Sequence, residues 1–257
     1  MGKIIAIANQ KGGVGKTTTA FNLGAGLAAE GKKVLLVDAD PQANATSGLG
    51  LNPDEGEVSV YECLVDGTDA DHGIRKSCVE GLEVLGSRID LVGAEVELMQ
   101  KQDRERVLSR ILRPLKDSYD YILIDCSPSL GLITVNALTA SDSVIIPVQA
   151  EYFALEGISQ LLNTIRIIKS RVNPTLEIEG FLLTMYDARL RLANQIFEEL
   201  RQHFGGMVFT TVIPRNIKLS ESPSHGLPVM LYDPESRGAI AYGQLSRELI
   251  AKNRPRK

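Results

Sequence analysis

The residues best suited to chemistry are concentrated in Lys11-Gly12-Gly13-Val14-Gly15-Lys16-Thr17-Thr18. Glycines let consecutive backbone N–H groups turn inward around phosphate oxygens, with no Cβ in the way. A helix opening at the end of such a loop adds unpaired N–H groups and a positive dipole end. Lys16 can reach the β- and γ-phosphates, and the Thr17 hydroxyl can take a place on Mg²⁺. The usual pattern, G-x-x-x-x-G-K-[ST], has glycine where this chain has Gln10, and a second lysine, Lys11, stands at the loop entrance.

Three aspartates carry the matching acid chemistry. Asp38 and Asp40 end an apolar run over residues 33–38, and Asp125 ends another over 119–125. Carboxylates at the C-terminal ends of buried parallel strands lie where ligands bind. One of the first pair can hold a water on Mg²⁺ while the other orients a water for attack on a γ-phosphate. Asp125 can hold Mg²⁺ through water. Each also has a plainer reading: a polar turn capped by Asp and Pro41 for the first pair, an ordinary strand end for the second. The loop Cys126-Ser127-Pro128-Ser129-Leu130-Gly131 starts beside this chemistry and suits a nucleotide-ordered switch.

The elements that must position these groups follow from periodicity. Residues 4–8 read as a buried strand and 18–30 as a helix, so the glycine loop has the strand–loop–helix setting that its motif requires. Further strands are expected at 33–38, 119–125, 143–148, 178–185 and 207–213. Helices are expected at 60–65, 95–115, 132–140, 155–172, 188–204 and 236–250. Residues 79–85 and 89–92 read as short strands or extended segments. This alternation, uninterrupted by a linker, predicts one α/β domain over 1–257: a doubly wound, mostly parallel sheet with helices on both faces and a short basic tail at 252–257. A hydrophobic content of 44% and a charged content of 23% suit a globular protein. A net charge of −4 excludes a chain that is basic all over. Cys63, Cys78 and Cys126 are scattered, which argues against a disulfide framework and suits a reducing cytoplasm. No apolar run approaches spanning length.

The loop variant KGGVGKT resembles the deviant Walker A of the ParA/MinD superfamily. Further blocks (LLVDADPQANATSGLG, YDYILIDCSPSLGLITVNAL, VIIPVQAEYFALEG, GFLLTMYDARL and TVIPRNIKLSESPSHGLPVMLYDPESRGAIAY) are similar to the ParA/Soj branch over nearly the full length. The resemblance implies an ATPase using ATP and Mg²⁺ that forms a sandwich homodimer on ATP. It implies that Lys11 crosses the interface to the partner's phosphates, as an arginine finger does in trans. Residues 12–18 would line the phosphates, Asp40 would position water, and Thr17, Asp38 and Asp125 would serve the metal. Met185, Pro214 and Asn216 would form the adenine edge. The switch loop departs from the family, which commonly has proline where Ser127 stands; serine restores an N–H and loosens φ.

The resemblance further implies non-specific binding of double-stranded DNA, location on the nucleoid, and a ParB-type centromere-binding partner. Arg189, Arg191, Lys218, Arg247 and the tail cations are the candidates for phosphate contact, and as single residues they read equally as solvated surface charges. A MinD-like membrane regulator would need an amphipathic C-terminal helix. This chain instead ends Ala251-Lys252-Asn253-Arg254-Pro255-Arg256-Lys257, polar and broken by proline, so no membrane partner is expected. An iron-protein-like electron carrier would need paired cluster cysteines. A nucleotide-gated binder without hydrolysis is disfavoured by Lys11 and Asp40.

Overall fold

The computed structural model describes residues 2–151 and 154–254, side chains excepted at 154–157. The first half contains β1 (Lys3–Ile7), α1 (Lys16–Ala29), β2 (Val34–Ala39), α2 (Asn44–Gly48), α3 (Val60–Val65), β3 (Ile74–Lys76), β4 (Leu82–Leu85), α4 (Leu91–Leu98) and α5 (Val107–Leu112). The second half contains β5 (Tyr121–Cys126), α6 (Leu132–Ala140), β6 (Ser143–Gln149), α7 (Ala154–Arg171), β7 (Glu177–Thr184), α8 (Arg191–Phe204), α9 (Lys218–Glu221), α10 (Val229–Tyr232) and α11 (Arg237–Lys252). The basic tail expected at 252–257 falls partly on residues 255–257, which lie outside the described residues.

The strands form one sheet in the order β3-β4-β2-β5-β1-β6-β7, parallel throughout except for the β3–β4 pair. β2 and β5 are buried along their whole length, as strands covered on both faces must be. One apolar core joins the sheet to α3 through α8, and a second joins it to α1 and α11. The chain builds outward on one side of β1 and then returns to add β5 and β6 beside it. The glycine loop therefore leaves β1 where the winding reverses, the place at which open parallel sheets bind ligands.

Three expectations are corrected. Residues 95–115 are not one helix: α4 ends near Met99, Asp103 takes a left-handed φ of 50°, and α5 starts afresh at Val107 before Pro114. Residues 89–92 are not extended, because Leu91 already opens α4. Residues 207–213 are not a strand. Glu248 accepts the N–H groups of Thr210 (2.7 Å) and Thr211 (2.9 Å), so the segment makes only isolated bridges, Phe181 to Val208 and Tyr186 to Pro214.

Candidate nucleotide site

Register brings the acids together. Asp38 on β2 pairs directly with Asp125 on β5, and Ile7, the last residue of β1, pairs with Asp125 on the other side. Adjacent strands lie about 4.8 Å apart, so the two carboxylates and the start of the glycine loop share one end of the sheet. In the loop, Gly13 and Gly15 have φ of 73° and 85°, a region that costs other residues strain. Thr184, at the end of β7, donates to the Val14 carbonyl (2.8 Å) and ties the loop to the far side of the sheet.

A cavity of about 870 Å³ opens here. Gly12, Gly13, Gly15, Lys16, Thr17 and Thr18 line one end, with Asp40 and Pro128 beside them; Met185, Pro214 and Asn216 line another part. Val14 is buried behind the loop. Met185 has a left-handed φ of 50°, strain of the kind that collects at binding sites. The sequence reading missed several lining residues, among them Gln42, Thr184, Arg215 and Tyr242. Thr184 and Arg215 adjoin Met185 and Pro214, so extending the adenine block by one residue would have found them.

The charges are unevenly satisfied. Burial lowers the pKa of Lys16, an effect opposed by Asp125, Cys126 and Asp40, and its ammonium donates to the Lys11 carbonyl (3.2 Å). Asp38 is fully buried and raised to about 6, mainly by burial. The Thr46 N–H (2.8 Å) and hydroxyl (2.7 Å) and the Asp40 N–H (3.2 Å) all donate to it. Asp40 is buried, and its carboxylate accepts the Gln42 N–H (3.0 Å). Asp125 differs from both: it is completely buried, and neither oxygen has a hydrogen bond of good geometry. Burial and the adjacent Asp38 push its pKa well up, while Thr17 and Lys16 oppose the shift. A buried, unpartnered carboxylate facing a threonine hydroxyl is a donor set that fits Mg²⁺, which keeps most of its waters and takes few protein oxygens.

Lys11 is placed otherwise. It does not line the cavity, and its half-exposed ammonium pairs with Glu151. In the switch loop, the Ser127 hydroxyl bonds to that of Ser129 (2.9 Å), and Thr134 donates to the Ser129 carbonyl (2.7 Å). Cys126 is buried with its pKa raised by burial, the state of an inert thiol rather than a cluster ligand.

The proposed phosphate-contacting cations are not one patch. Arg189 is clamped by Asp187 through two side-chain bonds (2.9 and 2.7 Å), and Lys218 pairs with Glu221 (3.0 Å). Arg191 is exposed and has no ion pair among the described residues. Arg247 pairs with Glu30 (3.2 Å), just past the end of α1 opposite to the glycine loop. A helix of this length separates its ends by about 20 Å, so Arg247 lies well apart from the others within one chain.

The chain matches an AAA domain family over residues 2–178. It is 59% identical over 251 residues to the sporulation initiation inhibitor protein Soj of Bacillus subtilis, covering 98% of this chain and 99% of that protein. The chain belongs to the ParA/Soj family. It is also 51% identical over 253 residues to the chromosome-partitioning ATPase Soj of Treponema pallidum, covering 98% of this chain and 99% of that one. Among solved structures, the cobyrinic acid a,c-diamide synthase of Mycobacterium smegmatis, with bound ATP analogue and magnesium, superposes with a TM-score of 0.85 at 38% identity, covering 97% of this chain and 95% of that one.

Proposed function

We propose that this chain is a Mg²⁺-dependent partitioning ATPase. It closes into a dimer on ATP, binds duplex DNA without sequence preference in that state, and releases it when a DNA-bound, ParB-type partner stimulates hydrolysis. One observation carries the reading: Lys16, Thr17 and Asp40 line one cavity, with the buried Asp125 within reach of all three, whereas Lys11 stands outside it. A lysine that ignores its own phosphate site has charge to offer a neighbour's.

Thr17 and Asp125 would hold Mg²⁺, with Asp38 acting through water because Thr46 and the Asp40 amide occupy its oxygens. When bound, the ion neutralises charge gathering on the β- and γ-phosphates. Residues 12–18 cradle the phosphates, and Lys16 places its ammonium among them. Asp40 orients the attacking water, and Lys11 of the second subunit stabilises the charge that builds up. Met185, Pro214 and Asn216 hold the base, the Asn216 amide being able to donate and accept at its edge. Arg191, with Arg189 and Lys218 where phosphate displaces Asp187 and Glu221 from them, would supply weak contacts that dimerisation doubles, so avidity would gate DNA binding by nucleotide. Binding of this kind would place the protein on the nucleoid.

The test is retention on immobilised duplex DNA across a salt series, with anionic vesicles in parallel. Retention that requires ATP, ignores sequence and falls steeply with salt is the expected result. Retention on vesicles and not on DNA would replace this reading with a membrane-associated one.

A further inference from the structure

Helix α4 is apolar on two faces. Leu91, Ala94 and Leu98 are fully buried against the sheet-side core. On the opposite face, Ile89 (62% exposed), Val92 (58%), Val96 (61%) and Met99 (57%) follow one another at helical spacing. A surface helix ordinarily keeps that face polar, and contiguous exposed apolar rows mark sites of association.

The surroundings of the row select its occupant. Segments 52–66 and 88–101 lie side by side: the Tyr61 hydroxyl donates to Glu97 (3.0 Å), and Lys101 donates to the Leu64 carbonyl (2.9 Å). Arg104 and Arg75 reach in from outside to the carbonyls of Met99, Asn52 and Glu55, while the two segments themselves carry eight carboxylates against two cations, Arg88 and Lys101. Both cations are already engaged, Arg88 with Glu62 and Asp90 and Lys101 with backbone carbonyls. A second copy of the same face would bring like charges together, and an anionic membrane surface would be repelled. A basic segment would be attracted.

We propose that the row Ile89, Val92, Val96 and Met99 docks a basic, amphipathic segment of a partner protein. The occupant would be felt at the nucleotide site. The Glu95 carboxylate lies so close to Gly131 that a Cβ there would sit 1.9 Å from its oxygen. Gly131 closes the loop whose Pro128 lines the cavity. A cation drawn to Glu95 would therefore sit beside the end of that loop.

The docking claim is read without hydrolysis, so it stands or falls separately from the ATPase reading. The probe is a fluorescein-labelled amphipathic helical peptide of leucine and lysine, titrated with the full chain and followed by anisotropy. A leucine and glutamate peptide of the same pattern is the control. Saturable binding of the basic peptide alone is expected, weakened about tenfold or more by Val92→Glu with Val96→Glu. These substitutions add negative charge, so mere attraction to an acidic surface would instead strengthen binding. Both side chains point outward, and an unchanged circular dichroism spectrum checks that the variant is folded. No binding to the wild type, or equal binding to the variant, overturns the proposal. So does sedimentation showing a wild-type dimer that the variant abolishes, or variant-sensitive binding to anionic vesicles.

Discussion

At the N-terminal end of the strands, Glu179 is buried on β7 and surrounded by donors: Lys3 (2.5 Å), Ser143 (2.5 Å) and Asn253 (3.0 Å). At the C-terminal end of the same sheet, Asp125 is buried more deeply still, and neither of its oxygens has a hydrogen bond of good geometry. Burial opposes ionisation of both and is the largest single effect on each. At Glu179 the hydrogen bonds together outweigh it and hold the carboxyl below its usual range, whereas at Asp125 it prevails. One end of the sheet is completed by its own side chains. The other is left incomplete, and the missing partners are those that a metal and a triphosphate would supply.

The largest expected break between the two ends is in turnover. Asp40→Ala should lower ATP hydrolysis by about 10²- to 10⁴-fold, the usual worth of a group that directs an attacking water. Lys16→Ala should lose nucleotide affinity, read by a fluorescent ATP analogue. Glu179→Ala should do the converse, leaving turnover per folded molecule unchanged. It should cost about 2 kcal/mol, or about 4–8 °C in Tm by calorimetry, because Lys3 is left half-buried without its carboxylate.

Much of the working end was legible because its motifs are local: a loop of eight residues, and aspartates that end apolar runs. The bracing end was not. Glu179 meets Lys3 and Asn253 at separations of 176 and 74 residues, and no local pattern announces such a pair. The same holds for Thr184 on Val14, 170 residues apart. Residues 207–213 alternate like a strand, yet Glu248 takes the N–H groups that a ladder would need. Over 95–115 the apolar spacing carried through a break that Asp103 makes by its backbone alone. Charge type was readable throughout, but pairing was not: Arg189 and Lys218 read as free cations, and each has a carboxylate on it.

Smaller effects sharpen the contrast through pH. The pKa of Asp38 is raised to about 6 in the folded protein, above its unfolded value near 4. The stability of its neutral form is therefore fully present below pH 4 and is lost as pH rises through about 6. Asp38→Asn mimics that neutral form. Without metal or nucleotide, its stability to urea should match wild type near pH 3.5 and exceed it at pH 7.5, by about 2 kcal/mol. Asp125→Asn should raise metal-free stability by about 1 kcal/mol, because it removes a buried carboxyl whose ionisation burial and Asp38 oppose more strongly than Lys16 and Thr17 favour it. The same change should abolish the extra rise in Tm that Mg²⁺ gives to the ATP-bound protein.

The most direct test of the central claim is to mix two inactive variants, Lys11→Ala and Asp40→Ala, and measure steady-state ATP hydrolysis. If Lys11 serves its neighbour's phosphates, a mixed dimer has one complete site, in which Asp40 of one subunit works with Lys11 of the other. An equimolar mixture should then recover about one quarter of wild-type activity, since half the dimers are mixed and half their sites complete. Hydrolysis no greater than the sum of the two variants measured alone would contradict the account.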